Sequence, residues 1–176
     1  MDNGVLEAIR TRRVVRRMTA EPVAREQFEA VLSMVRWTPS AGNRRLQRFI
    51  AVQDATMLRL LRMVSPGMLQ QPVALVLIAI DWERVQHFRL PRRNTGVYVD
   101  VGTALQTLLL AAHGVGLAAG PVSSFSKAAV RVLLNLPEHL SPEVMVCIGH
   151  AAPDAMRPMR RRKLDWRKLV HWERFE

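Results

Sequence analysis

The sequence predicts a central β-sheet flanked by helices, in the α+β or α/β class. Three observations carry that expectation. "PVALVLIAI" (72–80) is apolar at every position, the pattern of a strand buried on both faces. "VDVGTALQTLLLAAHGVG" (99–116) is a long helix, apolar over most of its circumference. A helix of that kind must be covered on all sides, which in a chain this small places it at the centre of a dimer. Helical and strand patterns also interleave along the chain, giving three to five strands in all.

The elements follow in order. "GVLEAIRT" (4–11) sets Val5, Leu6 and Ile9 at helical spacing, a short amphipathic helix. An arginine-rich loop runs to Glu21-Pro22. "AREQFEAVLSMVRW" (24–37) then carries Phe28, Val31, Leu32 and Val35 on one stripe of a second helix. "TPSAGN" breaks it, because Pro fixes φ, Gly admits φ > 0, and Ser and Asn bond nearby backbone. "RFIAVQD" (48–54) reads as a strand, and "ATMLRLLRMV" (55–64) as a helix closed by Ser65-Pro66-Gly67. The apolar strand 72–80 comes next, and residues 81–98 read as polar, irregular and basic. The long helix stops at Gly114 and Gly116. "AAGPV" (118–122) is a short strand, Ser126 caps a helix over 127–136, and "EVMVCIGH" (143–150) is a second buried strand. The tail "RRRKLDWRKLVHWERFE" has no compact place of its own and reaches over the body or onto a partner chain.

Composition bounds the function. With 176 residues, 49% of them hydrophobic, and no repeat or linker, the chain is expected to be a single packed domain over 1–176. No apolar run approaches the ~20 residues of a membrane span, and the N-terminus lacks the apolar region of a signal peptide. The one cysteine, Cys147, sits in an apolar run and reads as a core residue, which suits a reducing cytoplasm. The net charge of +11 comes from arginine blocks at 10–17, 44–48, 89–93 and 157–168. These lie between apolar elements rather than along one helix face, and no nucleic-acid motif accompanies them, which argues against nucleic acid as partner. A phosphorylated small ligand that gathers several blocks remains open beside a simply solvated surface. The five histidines form no i, i+4 pair, which argues against a metal site. "GVGLAAG" (114–120) follows a helix and opens a strand, the reverse of a dinucleotide fingerprint.

Three separated pieces then line up: "RTRRVVRR" after the first helix, "PSAGN" after the second, and "RRRK" in the tail. Together with "WTPSAGN", "LLLAAHGVGLAAGPVSSF" and "LVHWERF", they resemble the nitroreductase family of flavoproteins across essentially the whole chain. The resemblance implies an α+β fold with a central mixed or antiparallel sheet, the long apolar helix at a dimer interface and an extended C-terminal tail. It implies a homodimer binding one FMN in each interfacial cleft, with NAD(P)H as reductant. The implied reaction is ping-pong hydride transfer through flavin N5 to a nitroaromatic, quinone or related acceptor.

Residue by residue, the resemblance gives Arg12 the FMN phosphate and Arg16 the pyrimidine edge of the ring, with Arg13 and Val14 offering mainly backbone. Pro39, Ser40 and Asn43, with Arg45 as a further cofactor-binding position, match the loop that approaches the flavin from the partner subunit. Pro121, Val122, Ser123 and Ser124 match the strand end whose backbone faces N5 and O4. Arg161, with Arg160 and Arg162 as register alternatives, matches the C-terminal phosphate ligand. No catalytic side chain is required, since the flavin carries the hydride. Guanidinium forks suit a phosphate, and a cation near N1 and O2 favours the reduced ring. Some positions depart from the pattern. Val14 stands where Ser is usual, Arg45-Leu46-Gln47 where many members have Gln-Pro-Trp, and Met159 where Lys is common. Residues 81–98 leave little room for the helical roof of larger members, and Arg89, Arg92 and Arg93 stand at the rim as either acceptor-selecting or solvated charge. "SPGML" (65–69) also looks like short members that oxidise cyclic dipeptides with oxygen and a small partner protein, an alternative reaction on the same flavin.

Overall fold

The computed structural model describes residues 4–91, 95–153, 155 and 165–175. Four antiparallel strands form one sheet in the order β1-β2-β4-β3: β1 Gln47–Val52, β2 Ala74–Asp81, β3 Ala118–Val122 and β4 Leu140–Gly149. Among the described residues, six α-helices accompany it: α1 Gly4–Thr11, α2 Arg25–Ser33, α3 Ala55–Met63, α4 Trp82–His87, α5 Gly96–Gly114 and α6 Lys127–Leu133. The class is therefore α+β. A parallel bridge from Val14 to Ala119 lays the arginine segment along the outer edge of β3.

Strand β2 explains the architecture. Its eight residues are all buried, and alternate ones face opposite layers. Val76, Ile78 and Ile80 join Phe28 and Val31 of α2 and Ala104, Leu108 and Ala112 of α5 on one side. Leu75 and Leu77 join Leu58 and Leu61 of α3, Val130 of α6, Met145 and Cys147 on the other. Each such aliphatic side chain contributes about 1.5–3 kcal/mol by leaving water.

Local chemistry sets the helix ends. The Asp54 carboxylate accepts from the Met57 N–H at 2.7 Å, and the Ser126 hydroxyl accepts from the Ala129 N–H at 3.2 Å. At the end of α5, Gly116 adopts φ 78° while its N–H donates to the His113 carbonyl and Leu117 N–H to that of Ala112. That paired closure requires a left-handed residue, so the glycines of "GVG" are a helix stop.

Four expectations are corrected. Residues 81–98 are not wholly irregular: α4 occupies 82–87, started by the Asp81 carboxylate accepting from the Arg84 N–H at 3.0 Å. One and a half turns are too short to show a hydrophobic stripe. The second helix keeps α geometry only to Ser33 and ends as a 3₁₀ turn over Met34–Trp37. Strand β4 begins at Leu140, earlier than expected, because Pro142 sits beside the bulge at Ile78/Ala79, where its missing N–H is tolerated. The long helix begins at Gly96 rather than at residue 99. Val97, Val101, Ala104 and Leu108 are buried, whereas Tyr98, Val99, Gly102 and Gln106 are exposed.

Cys147 lies in the core as expected, and burial pushes its thiol up from 9.0 to about 12. The unfolded thiol ionises near its ordinary value while the folded one stays neutral. Its contribution to stability is thus full below about pH 9 and lost as pH rises toward 12. A disulfide-exchange reagent at about pH 8 is expected to leave the native thiol unmodified and to titrate it in denaturant. Rapid modification of the native protein would count against this burial. Among the described residues, no helix is long and apolar enough to cross a membrane.

Candidate functional site

The residues singled out in the sequence fall into two groups. The first lies at the β3 edge. Val15 N–H donates to the Ala119 carbonyl at 3.0 Å, so Arg12–Arg16 runs beside β3 through a single parallel bridge. Val15 turns inward at 4% exposure, whereas Val14 and Arg16 flank it on the exposed side, as alternation requires. The exposed Arg13 side chain turns its Nη1 back to the carbonyls of Arg10, Thr11 and Arg12 and closes the end of α1. Arg16 makes no hydrogen bond or ion pair among the described residues. Arg12 differs again, because its Nε and Nη1 are buried and have no acceptor.

Arg12, Arg13, Thr11 and His113 line a cavity of about 200 Å³ with Leu117 and Ala119. The Thr11 hydroxyl donates to the Glu7 carbonyl at 2.7 Å and also meets His113 Nε2 at 2.9 Å. One hydroxyl has one hydrogen, so with that hydrogen on Glu7 the imidazole donates to Thr11. This bond ties the arginine strip to the C-terminal end of α5. Val122, the last residue of β3, is buried, and Ser123 and Ser124 beyond it are exposed. The Ser124 carbonyl accepts from Gly67 N–H at 3.1 Å, fixing the "SPGML" loop against the strand end. Gln70, 1% exposed, holds the strip from below through a 3.5 Å contact of Nε2 with the Val15 carbonyl.

The second group is the "PSAGN" loop. Gly42 and Asn43 adopt φ 59° and 53°, and Arg45 adopts φ 51°, so the chain doubles back sharply. The Ser40 hydroxyl accepts from Arg45 N–H at 3.1 Å, and the Asn43 side-chain oxygen accepts from Arg45 Nε at 3.1 Å. Arg45 therefore braces the loop. From α5, Asp100, 4% exposed, accepts the Ala41 N–H at 3.0 Å, and the Thr103 hydroxyl shares its one hydrogen between the Pro39 carbonyl at 2.9 Å and the Asp100 carbonyl at 2.8 Å. Asp100 and Thr103 escaped the sequence reading. The one signal available was an acidic residue inside an otherwise apolar helix.

Within one protomer the groups stand apart. The loop is tied to α5 at residue 100 and the strip at residue 113, a separation of about 20 Å along the helix axis. Arg160, Arg161 and Arg162 lie outside the described residues, as do Met159, Arg92 and Arg93. Among the described residues, Asp81, Glu83 and His139 bring ligand-type atoms within 4.8 Å of one another. The Asp81 carboxylate is already engaged by Arg48 at 2.7 Å and by the α4 N-terminus, so this cluster is accounted for without a metal.

Known proteins resemble this chain in sequence and in fold. Residues 9–150 match the sequence model of the nitroreductase family. A protein of Methanothermobacter thermautotrophicus, named for the NADH dehydrogenase/NAD(P)H nitroreductases, is 30% identical over 156 residues, covering 84% of this chain and 78% of its own. An FMN reductase (NAD(P)H) of Bacillus subtilis is 30% identical over 167 residues, covering 85% and 67%. A nitroreductase family structure from Clostridium difficile shares the fold, with a TM-score of 0.83 at 24% identity over 99% of this chain and 100% of that one. A structure from Desulfovibrio desulfuricans, named as a nitroreductase in complex with FMN, gives a TM-score of 0.79 at 27% identity over the whole of both chains. The match over residues 9–150, with 30% identity to relatives across most of the chain, shows that this protein belongs to the nitroreductase family.

Proposed function

We propose that this chain is an FMN-dependent NAD(P)H oxidoreductase, a single-domain cytoplasmic enzyme that works as a homodimer on nitro compounds, quinones or related acceptors. The observation that carries the reading is Arg12. Two buried guanidinium nitrogens without an acceptor are costly unless an anion arrives, and a phosphate presents oxygens in matching fork geometry. Arg16 leaves its charge free on the same exposed side of the strip, where it would stand near the pyrimidine edge of the ring. Arg13 and Val14 offer backbone, since the Arg13 side chain is spent on α1. Arg161, or Arg160 or Arg162 beside it, completes the phosphate shell in this proposal.

When bound, FMN supplies the N5 that takes a hydride from NAD(P)H and returns it to the acceptor. The chain's own part is to bind, orient and polarise. Pro121, Val122 and the exposed Ser123 and Ser124 form the platform edge, held in place by Gly67. A single open face serving donor and acceptor in turn gives ping-pong kinetics. The two halves lie at opposite ends of α5, so two-fold pairing of antiparallel α5 helices would bring Pro39, Ser40 and Asn43 of one protomer to the strip of the other. The exposed Tyr98 and Val99 and the uncovered Trp166, Leu169, Trp172 and Phe175 supply apolar surface for that contact.

The purified protein is expected to bind FMN with quenching of flavin fluorescence, to oxidise NAD(P)H with a quinone or nitroaromatic, and to run as a dimer of the 20.0 kDa chain. A preparation that does not quench flavin fluorescence and is colourless once excess FMN is removed defeats the reading. Oxygen-dependent desaturation of a cyclic dipeptide that requires a second protein, without NAD(P)H consumption, replaces it with the alternative reaction.

A further inference from the structure

Arg44, within the basic block 44–48, has a distinct environment. Its guanidinium folds back over the loop, with Cζ 3.3 Å from where a Cβ on Gly42 would lie. It also stacks over the Phe88 ring at 5.7 Å from the centroid, and Arg84 stacks on the same ring at 5.8 Å. Arg84 Nη2 donates to the Arg44 carbonyl at 3.0 Å, while Arg84 Nε is buried without a partner. Two guanidinium groups are thus held at one half-exposed ring, beside the loop proposed to face the flavin.

Among the described residues, nothing acidic neutralises them. Asp81 is committed to Arg48 at 2.7 Å, and Glu83 faces His139 at 3.3 Å. Neither Arg44 nor Arg84 forms an ion pair among the described residues, and no Arg44 side-chain nitrogen has an acceptor there. Stacking has already fixed the Arg44 fork, so a ligand would not have to order it. An unpaired, preorganised cation next to an uncapped buried N–H is suited to an anion.

We propose that Arg44, braced by Phe88 and Arg84, is an anion subsite at the mouth of the flavin cleft, and the inference rests on the proposed placement of that cleft. The subsite reads a negatively charged group on a substrate: the 2′-phosphate of NADPH on the donor side, or a carboxylate on the acceptor side. Both present oxygens to a guanidinium, and kinetics separate them.

The experiment compares wild type, Arg44→Gln and a charge control, Arg59→Gln on α3, each loaded with FMN. Two ratios of kcat/KM are measured: NADPH over NADH, and 4-nitrobenzoate over 4-nitrobenzyl alcohol. Arg44→Gln is expected to lower one ratio about tenfold, the worth of one charge-assisted contact, through KM. Arg59→Gln is expected to leave both unchanged. Phe88→Leu, which removes the platform and no charge, is expected to move the same ratio in the same direction. A fall in the first ratio assigns the subsite to the donor, and a fall in the second assigns it to the acceptor. If Arg44→Gln binds FMN and turns over with both ratios at wild-type values, the subsite does not exist although the flavin reading survives. If wild type fails to bind FMN, the cleft reading falls and takes the subsite with it.

Discussion

Arg12→Ala is expected to weaken FMN binding roughly 10- to 100-fold while leaving the melting temperature of the apo protein unchanged or slightly raised. The two effects have one cause. In the free protein, Nε and Nη1 of Arg12 are withdrawn from water with no acceptor, which costs free energy. Truncation relieves that cost, so the apo fold loses nothing by it. In the complex the same nitrogens would meet phosphate oxygens, and charge-assisted bonds of that kind contribute about 1.5–3 kcal/mol net. At about 1.4 kcal/mol per tenfold, the loss appears as the stated range in Kd. Fluorescence-quench titration reads the affinity, and thermal melts with and without FMN read the linkage, since a ligand bound less tightly raises the melting temperature less. Arg12→Lys keeps the charge but not the fork and should fall between the two. Wild-type affinity in Arg12→Ala would remove the phosphate from this end of the strip.

Legibility in the sequence followed the range of the interactions. Strands β2 and β3 and the stop at Gly116 were readable because each is written in consecutive residues: unbroken hydrophobicity, a short apolar run, or a glycine that must take positive φ. Helix α4 was lost because one and a half turns carry no periodicity, and its only mark was an Asp at the cap. The early start of β4 was hidden by Pro142, which argues against a strand unless a bulge is known to lie opposite. The arginine strip and the "PSAGN" loop were found by resemblance. The groups that hold them were not, since Asp100 bonds Ala41 across 59 positions, Thr103 bonds Pro39 across 64, and Gln70 touches Val15 across 55. No local pattern encodes such partners. The exposed side of α5 shows the same limit from the other direction. Its composition announced burial on every side, and a single chain supplies cover for only part of it.

Gly120→Ala is expected to lower stability by about 3 kcal/mol, at the upper end of what an added methyl costs in a packed core. For a chain of this size that corresponds to a fall in melting temperature of about 6–12 °C. Gly120 lies in the middle of β3 between two unyielding neighbours. A Cβ there would sit 2.5 Å from the Val15 carbonyl oxygen and 2.6 Å from Gln70 Nε2. The first is backbone, fixed by the neighbouring bond from Val15 N–H to the Ala119 carbonyl at 3.0 Å. The second belongs to a side chain that is 1% exposed and has no room to withdraw. Relief must therefore come from lifting the arginine strip off β3. Gly120→Ala should then weaken FMN binding as well as stability, whereas Arg12→Ala weakens binding alone. Gly114→Ala is the control, since a Cβ at that position meets nothing within 4 Å, and its melting temperature should stay close to wild type. If Gly120→Ala melts with the control, the strip yields easily, and close packing of Val15 against β3 is not what presents Arg12 and Arg16 to the cofactor.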